Sequence, residues 1–105
     1  MEKRVLVLGA RGRLGRVLTR TFAGAGWAVV AQSRRAPADG LRPRVLPVVC
    51  DASETATLAE AGAGAGIVIH ALNPAYTDWA AEAAPLARAA TDVARRLGRP
   101  IGIGR

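Results

Sequence analysis

The sequence predicts an α/β fold of three αβα layers, in which a doubly wound parallel sheet of about five strands carries helices on both faces. Three observations predict it. Short apolar runs alternate with segments of helical period, the order that parallel strands joined by right-handed crossovers require. The first run, Val5-Leu6-Val7-Leu8, leads directly into Gly9-Ala10-Arg11-Gly12-Arg13-Leu14-Gly15, three glycines spaced three apart at a strand-to-helix junction. Half of the residues are hydrophobic but only 4% are aromatic. The core must then be built from Val, Leu, Ile and Ala, which suits thin helices packed closely on a sheet.

The glycine turn has the chemistry of an anion site. The first turn of a helix offers N–H groups without acceptors and the positive end of the peptide dipole, so a pyrophosphate is held there without charged side chains. Gly9 allows a tight turn off the strand, Gly12 lets the backbone approach the phosphates, and Gly15 lets the helix lie close to the sheet. In the helix that follows, Leu14, Val17, Leu18, Thr21, Phe22 and Ala25 recur at helical spacing and predict its buried stripe.

Gly24-Ala25-Gly26 stops that period, and Trp27 to Ala31 reads as a second strand. Gln32 to Pro43, with two prolines and a glycine, reads as a long loop. Val45 to Cys50 reads as a third strand, and Pro47, which cannot donate to a ladder, places it at a sheet edge. Asp51-Ala52-Ser53 opens a short helix with Ser53 as N-cap and Leu58 as its apolar anchor. The alternating glycines from Gly62 to Gly66 precede a strand rather than follow one, so they read as a connector, and Ile67 to Leu72 reads as the fourth strand.

A long helix follows, capped by Thr77 or Asp78, with Pro85 kinking it or marking its effective first turn. Leu86, Ala89, Ala90, Val93, Ala94 and Leu97 form its stripe, and Gly98 ends it. Arg99 to Arg105 begins a fifth strand.

A chain of 105 residues is the size of a single domain, residues 1–105, able to bury roughly two-thirds of its unfolded surface. No apolar stretch approaches the roughly 18 residues of a membrane span, and the N-terminal run is too short for a signal peptide, which predicts a cytoplasmic protein. Cys50 is the only cysteine, so no internal disulfide forms, and its place at the end of an apolar run reads as a small hydrophobe. The formal charge of +7 is uneven. Residues 1–50 carry ten basic side chains against two acids, net +8, and residues 51–105 carry five against six, net −1. The positive excess therefore sits in the half with the glycine turn.

Gly-x-x-Gly-x-x-Gly at the N-terminus, with Val68-Ile69-His70-Ala71-Leu72-Asn73-Pro74 as a fourth strand, resembles the extended and atypical short-chain dehydrogenase/reductase superfamily of NAD(P)-dependent epimerases, dehydratases and reductases. The resemblance covers almost the whole chain but only about the first third of such an enzyme. It implies a Rossmann-like sheet in the order 3-2-1-4-5. It also implies a dinucleotide held by the turn of Gly9, Ala10, Arg11, Gly12, Arg13, Leu14 and Gly15. Asp51 corresponds to an acid that accepts a hydrogen bond from the adenine amino group, with the Ala52 N–H also on the ring. Ala71, Leu72 and Asn73 would line the cofactor crevice.

An NAD-binding relative of this fold places an acid after the second strand to read the ribose 2′-OH. Here stand Gln32, Ser33, Arg34 and Arg35. A carboxylate would repel a 2′-phosphate that Arg holds bidentately, so the sequence leans toward NADP(H) over NAD(H). Arg11 could share that phosphate with Arg34, and Arg13 serves the pyrophosphate or solvent.

His70, the only histidine, lies in an apolar strand without metal-ligand company and reads as structural. The family's catalysis uses Tyr-x-x-x-Lys, but Ala80 stands four residues after Tyr76, and Lys3 is the only lysine. In the family that dyad follows the fifth strand, so the chain is expected to be the NAD(P)(H)-binding portion of an epimerase, dehydratase or reductase, with a small-molecule substrate only if the C-terminal part is present. A non-catalytic NADP(H) sensor resembling the NmrA-like regulators is the second reading. A basic nucleic-acid binder is a remote third, since stacking aromatics are few and no recognition motif appears. The truncated sheet end, with uncharged Pro100-Ile101-Gly102-Ile103, is expected to dimerise or aggregate.

Overall fold

The computed structural model describes residues 3–36, 43–72 and 79–103. In chain order the elements are β1 (Arg4–Leu8), α1 (Arg13–Gly24), β2 (Ala28–Ser33), β3 (Val45–Val49), α2 (Thr55–Ala61), β4 (Ile67–His70), α3 (Trp79–Leu97) and β5 (Ile101–Ile103). All strand pairs are parallel, and the sheet order is β3-β2-β1-β4-β5. β3 is an edge, as Pro47 predicts.

Period-two alternation along the strands divides the core into two layers. Leu6, Leu8, Val30 and Val68 pack on one face with Leu58 of α2 and Ala90, Val93 and Ala94 of α3. Val5, Val7, Val29, Ala31 and Ile69 pack on the other face with Leu18, Phe22 and Ala23 of α1. Val5 to Leu8 are completely buried, which is why β1 reads as an unbroken apolar run: a central parallel strand is covered on both sides.

Several boundaries differ from expectation. β2 runs on through Gln32 and Ser33, which pair with Val48 and Val49 of β3. β4 ends at His70 rather than Leu72, its last link to β1 being the Ala71 N–H donated to the Leu8 carbonyl at 2.9 Å. Ser53 is not the cap of α2; the helix starts at Thr55 after Glu54. The reason is local competition: the Asp51 carboxylate accepts the Ser53 N–H at 2.9 Å and the Glu54 carboxylate accepts the Asp51 N–H at 3.1 Å, forming a turn before the helix begins.

The stripe of α1 is also rotated from the expected one. Val17 is 55% exposed and Thr21 is exposed, while Gly15 is buried and Leu18, Phe22 and Ala23 face the sheet. The contact of Gly15 with the glycine turn sets this rotation, because only a residue without a side chain fits there.

Both long helices end in Schellman motifs. In α1, Gly26 at φ +91° donates to Ala23 and Trp27 donates to the Phe22 carbonyl, and the two rings meet edge-on at 5.0 Å. In α3, Gly98 at φ +63° donates to Arg95 and Arg99 donates to Ala94. The α3 stripe is buried as expected at Ala90, Val93 and Ala94, and the helix starts at Trp79 and runs through Pro85. Thr77 and Asp78 lie outside the described residues.

Candidate functional site

In register, Leu8 of β1 stands between Gln32 of β2 and His70 of β4, so three strands finish together at their carboxyl ends. β1 leaves toward α1 on one face, and β4 leaves toward α3 on the other. The gap between them is a cleft of about 560 Å³ lined by Gly9, Arg11, Gly12, Gln32, Ser33, Arg34, Arg35, Ala71 and Leu72. In an open parallel sheet this is the switch point where ligands bind.

Gly9 turns at φ +84°, and a Cβ there would stand 2.6 Å from the Ala71 carbonyl oxygen and 3.0 Å from Leu72 Cα. The turn can therefore pass the end of β4 only as glycine. A Cβ on Gly15 would fall on the Gly9 carbonyl, so this glycine brings the helix against the turn rather than against the strands. The Gly12 N–H donates to the Gly9 carbonyl at 3.1 Å, and the Ala10 N–H donates to the Gln32 carbonyl at 2.8 Å. Gly12 caps α1 in an extended conformation, with no side-chain cap and no acid in the first turn. The N–H groups of Arg13, Leu14 and Gly15 then have no acceptor within the helix, and the positive helix end opens beside the cleft.

Across the cleft, the Ser33 hydroxyl donates to the Arg35 carbonyl at 2.6 Å and closes the turn that carries Arg34 and Arg35, both exposed. Arg11 approaches from the glycine turn. Among the described residues, the cleft is thus lined by three arginines and no carboxylate.

Asp51 is exposed at the end of β3 and does not line the cleft. The Ser53 N–H and hydroxyl, and beyond them the Arg34 guanidinium, hold its carboxyl below the usual carboxylate range. Ala52 is buried. Ala10 is buried beneath α1, Leu14 is half-buried, and Arg13 is exposed outside the cleft lining. Asn73, like Tyr76, lies outside the described residues.

His70 is half-buried; its Nδ1 accepts the Leu72 N–H at 3.3 Å, and burial pushes its pKa below the ordinary 6.5. It shapes the chain as β4 ends. Burial first, then the Glu54 and Asp51 carboxylates, raise the pKa of the Cys50 thiol, which keeps it protonated and un-nucleophilic. Among the described residues no three His, Cys, Asp or Glu side chains gather as a metal site. No helix among them is long and apolar enough to cross a membrane.

Sequence reasoning missed Gln32. It is 1% exposed, and its amide bonds to two loops of the site. The available signal was a glutamine continuing the apolar run Val29-Val30-Ala31.

Residues 5–98 match the NAD dependent epimerase/dehydratase family. The chain belongs to that family. Membership makes it an NAD(P)-binding portion of an epimerase/dehydratase-family protein. A search of curated proteins finds no match. Among solved structures, a Burkholderia pseudomallei protein superposes at TM-score 0.74 with 27% identity, covering 96% of this chain and 47% of its own. An oxidoreductase from Lactococcus lactis superposes at 0.80 with 15% identity, covering 95% and 47%. A variant of uronate dehydrogenase from Agrobacterium tumefaciens, solved in complex with NAD, superposes at 0.74 with 24% identity, covering 99% and 41%. The chain therefore spans under half the length of these structures.

Proposed function

We propose that this portion of an epimerase/dehydratase-family protein binds NADP(H) in preference to NAD(H). The observation that carries the reading is the lining of the cleft: Arg34 and Arg35 follow β2 where an NAD site needs a carboxylate, Arg11 lines the same cleft, and no acid stands with them among the described residues. A 2′-phosphate adds about two negative charges to a ligand, and a guanidinium fork holds it with paired charge-assisted hydrogen bonds. A ribose 2′-OH without a carboxylate acceptor gains nothing comparable.

The free N–H groups at Arg13, Leu14 and Gly15 take the pyrophosphate, within the turn of Gly9, Ala10, Arg11 and Gly12. Arg11 and Arg34 take the 2′-phosphate, while Ser33 holds the turn that presents Arg34 and Arg35. Asp51 and the Ala52 N–H take the adenine edge. Ala71 and Leu72 line the side of the crevice toward the nicotinamide, and Asn73, next in sequence, is assigned to that side by the family resemblance alone. When bound, the cofactor supplies a hydride donor or acceptor. The longer relatives carry further sequence, and the family resemblance implies that the substrate site and the proton-transferring groups belong to it.

Titration calorimetry of the 105-residue chain with NADP⁺ and NAD⁺ tests the reading. NADP⁺ should bind at least about tenfold more tightly, and Arg34→Ala should remove most of that advantage. Equal affinities in the wild type, or an unchanged NADP⁺ affinity in Arg34→Ala, would overturn it.

A further inference from the structure

Gln32 is a polar residue where the core asks for an apolar one. It lies on the same face of β2 as Val30 and beside Leu8, and its side chain is fully enclosed. A buried amide is tolerated only when both of its ends are paired, and here both are. Its Oε1 accepts the Gly9 N–H at 2.8 Å, and its Nε2 donates to the Cys50 carbonyl at 2.7 Å. Only one orientation of the amide meets both partners, because Gly9 offers a donor and Cys50 an acceptor.

These two partners are far apart in function. Gly9 opens the phosphate turn after β1, and the Cys50 carbonyl immediately precedes Asp51 after β3. β1 and β3 are not neighbours in the sheet; β2 stands between them. One side chain therefore spans the strand that separates the two loops and fixes the distance between them.

We propose that Gln32 is a positioning residue for the dinucleotide, a clamp that holds the pyrophosphate turn and the adenine-side loop in register so that one ligand meets both at once. The proposal rests on the reading of the cleft as a dinucleotide site. Leucine would fill the same space without either hydrogen bond. Glutamate would keep the bond to Gly9 but set an oxygen against the Cys50 carbonyl. Gln32 thus acts through the loops it ties, without touching the reacting atoms.

The test uses the 105-residue chain as wild type and Gln32→Leu, with two readouts. In the ligand-free wild type, amide hydrogen exchange should find the Gly9 N–H protected at least about tenfold relative to exposed Arg34, and Gln32→Leu should abolish that protection while leaving Leu6 protected. In binding, Gln32→Leu should weaken NADP⁺, which spans both loops, about tenfold, but weaken adenosine 2′-monophosphate, which carries no phosphate for the N–H groups of the glycine turn, less than about threefold. A general loss of stability would weaken both ligands alike, so equal weakening overturns the clamp. Unchanged NADP⁺ affinity in a folded Gln32→Leu overturns it too. Should Gln32→Leu not fold, the wild-type exchange still decides, since an unprotected Gly9 amide contradicts the clamp. A wild type with a protected Gly9 that binds neither dinucleotide overturns the cofactor reading instead.

Discussion

Replacing single glycines by alanine isolates the constraints that build the site, because three of them differ in one respect at a time. Gly24 closes α1 with nothing within 4 Å of a Cβ and an ordinary φ. Alanine there gains helix propensity and restricts the unfolded chain, stabilising by up to about 1 kcal/mol. Gly26 has the same open surroundings but φ +91°, so alanine costs the left-handed conformation alone, about 1–2 kcal/mol. Gly9 has φ +84° and also a Cβ position 2.6 Å from the Ala71 carbonyl oxygen. That oxygen is backbone, tied into place by the Ala71 N–H bond to Leu8, and cannot swing aside.

Overpacking against fixed atoms costs a further 1–3 kcal/mol or so, making Gly9→Ala about 2–5 kcal/mol in all. A domain of this length has roughly 5–15 kcal/mol to lose, so the variant should be a marginally folded protein. Urea denaturation of the three variants at constant m-value gives the comparison. The order expected is Gly24→Ala above wild type, Gly26→Ala below it and Gly9→Ala lowest. A Gly9→Ala no less stable than Gly26→Ala would mean that the turn does not pass the end of β4 as closely as described.

Three further outcomes follow from the same structure. Because burial holds the His70 pKa below its ordinary 6.5, the unfolded chain binds more protons as pH falls from about 7 through that value. Stability should drop over that window down to the folded pKa, and a His70→Gln variant with the same urea midpoints against pH would contradict it. The chain should show no dehydrogenase turnover, and hydride transfer above background that survives Tyr76→Phe would reveal a catalytic group unrecognised here. β5 is an edge of the described sheet and its residues Ile101-Gly102-Ile103 carry no charge, so self-association is expected along it, with NADP(H) favouring the folded form by mass action. Light scattering across a concentration series checks this, and a cofactor-free chain that stays monomeric at every concentration would contradict it.

The architecture was legible because it rests on short-range patterns. Val5-Leu6-Val7-Leu8 is apolar at every position because its strand is covered on both faces, and Pro47 marks an edge because it cannot donate. Gly26 and Gly98 stop their helices where glycine alone takes a positive φ cheaply. What was not legible depends on packing at a distance. The rotation of α1 follows from Gly15 meeting the Gly9 carbonyl, a contact that helical spacing cannot reveal. Ser53 has the chemistry of a cap, but Asp51 and Glu54 take the neighbouring N–H groups into a turn first. Gln32 looks like the start of a loop in sequence, and only the register of β2 beside Leu8 and Val48 shows that its amide is enclosed between two loops.

The dinucleotide is proposed to lie between the glycine turn and the arginine turn after β2. An amide chemical-shift titration of the labelled chain with NADP⁺ tests it directly. Saturable shifts are expected at Arg11, Arg13 and Leu14 together with Ser33, Arg34 and Arg35, while Leu97 and Gly98 at the far end of α3 stay unmoved. Shifts that leave the glycine turn untouched, or that spread evenly over the exposed arginines without saturating, would contradict it.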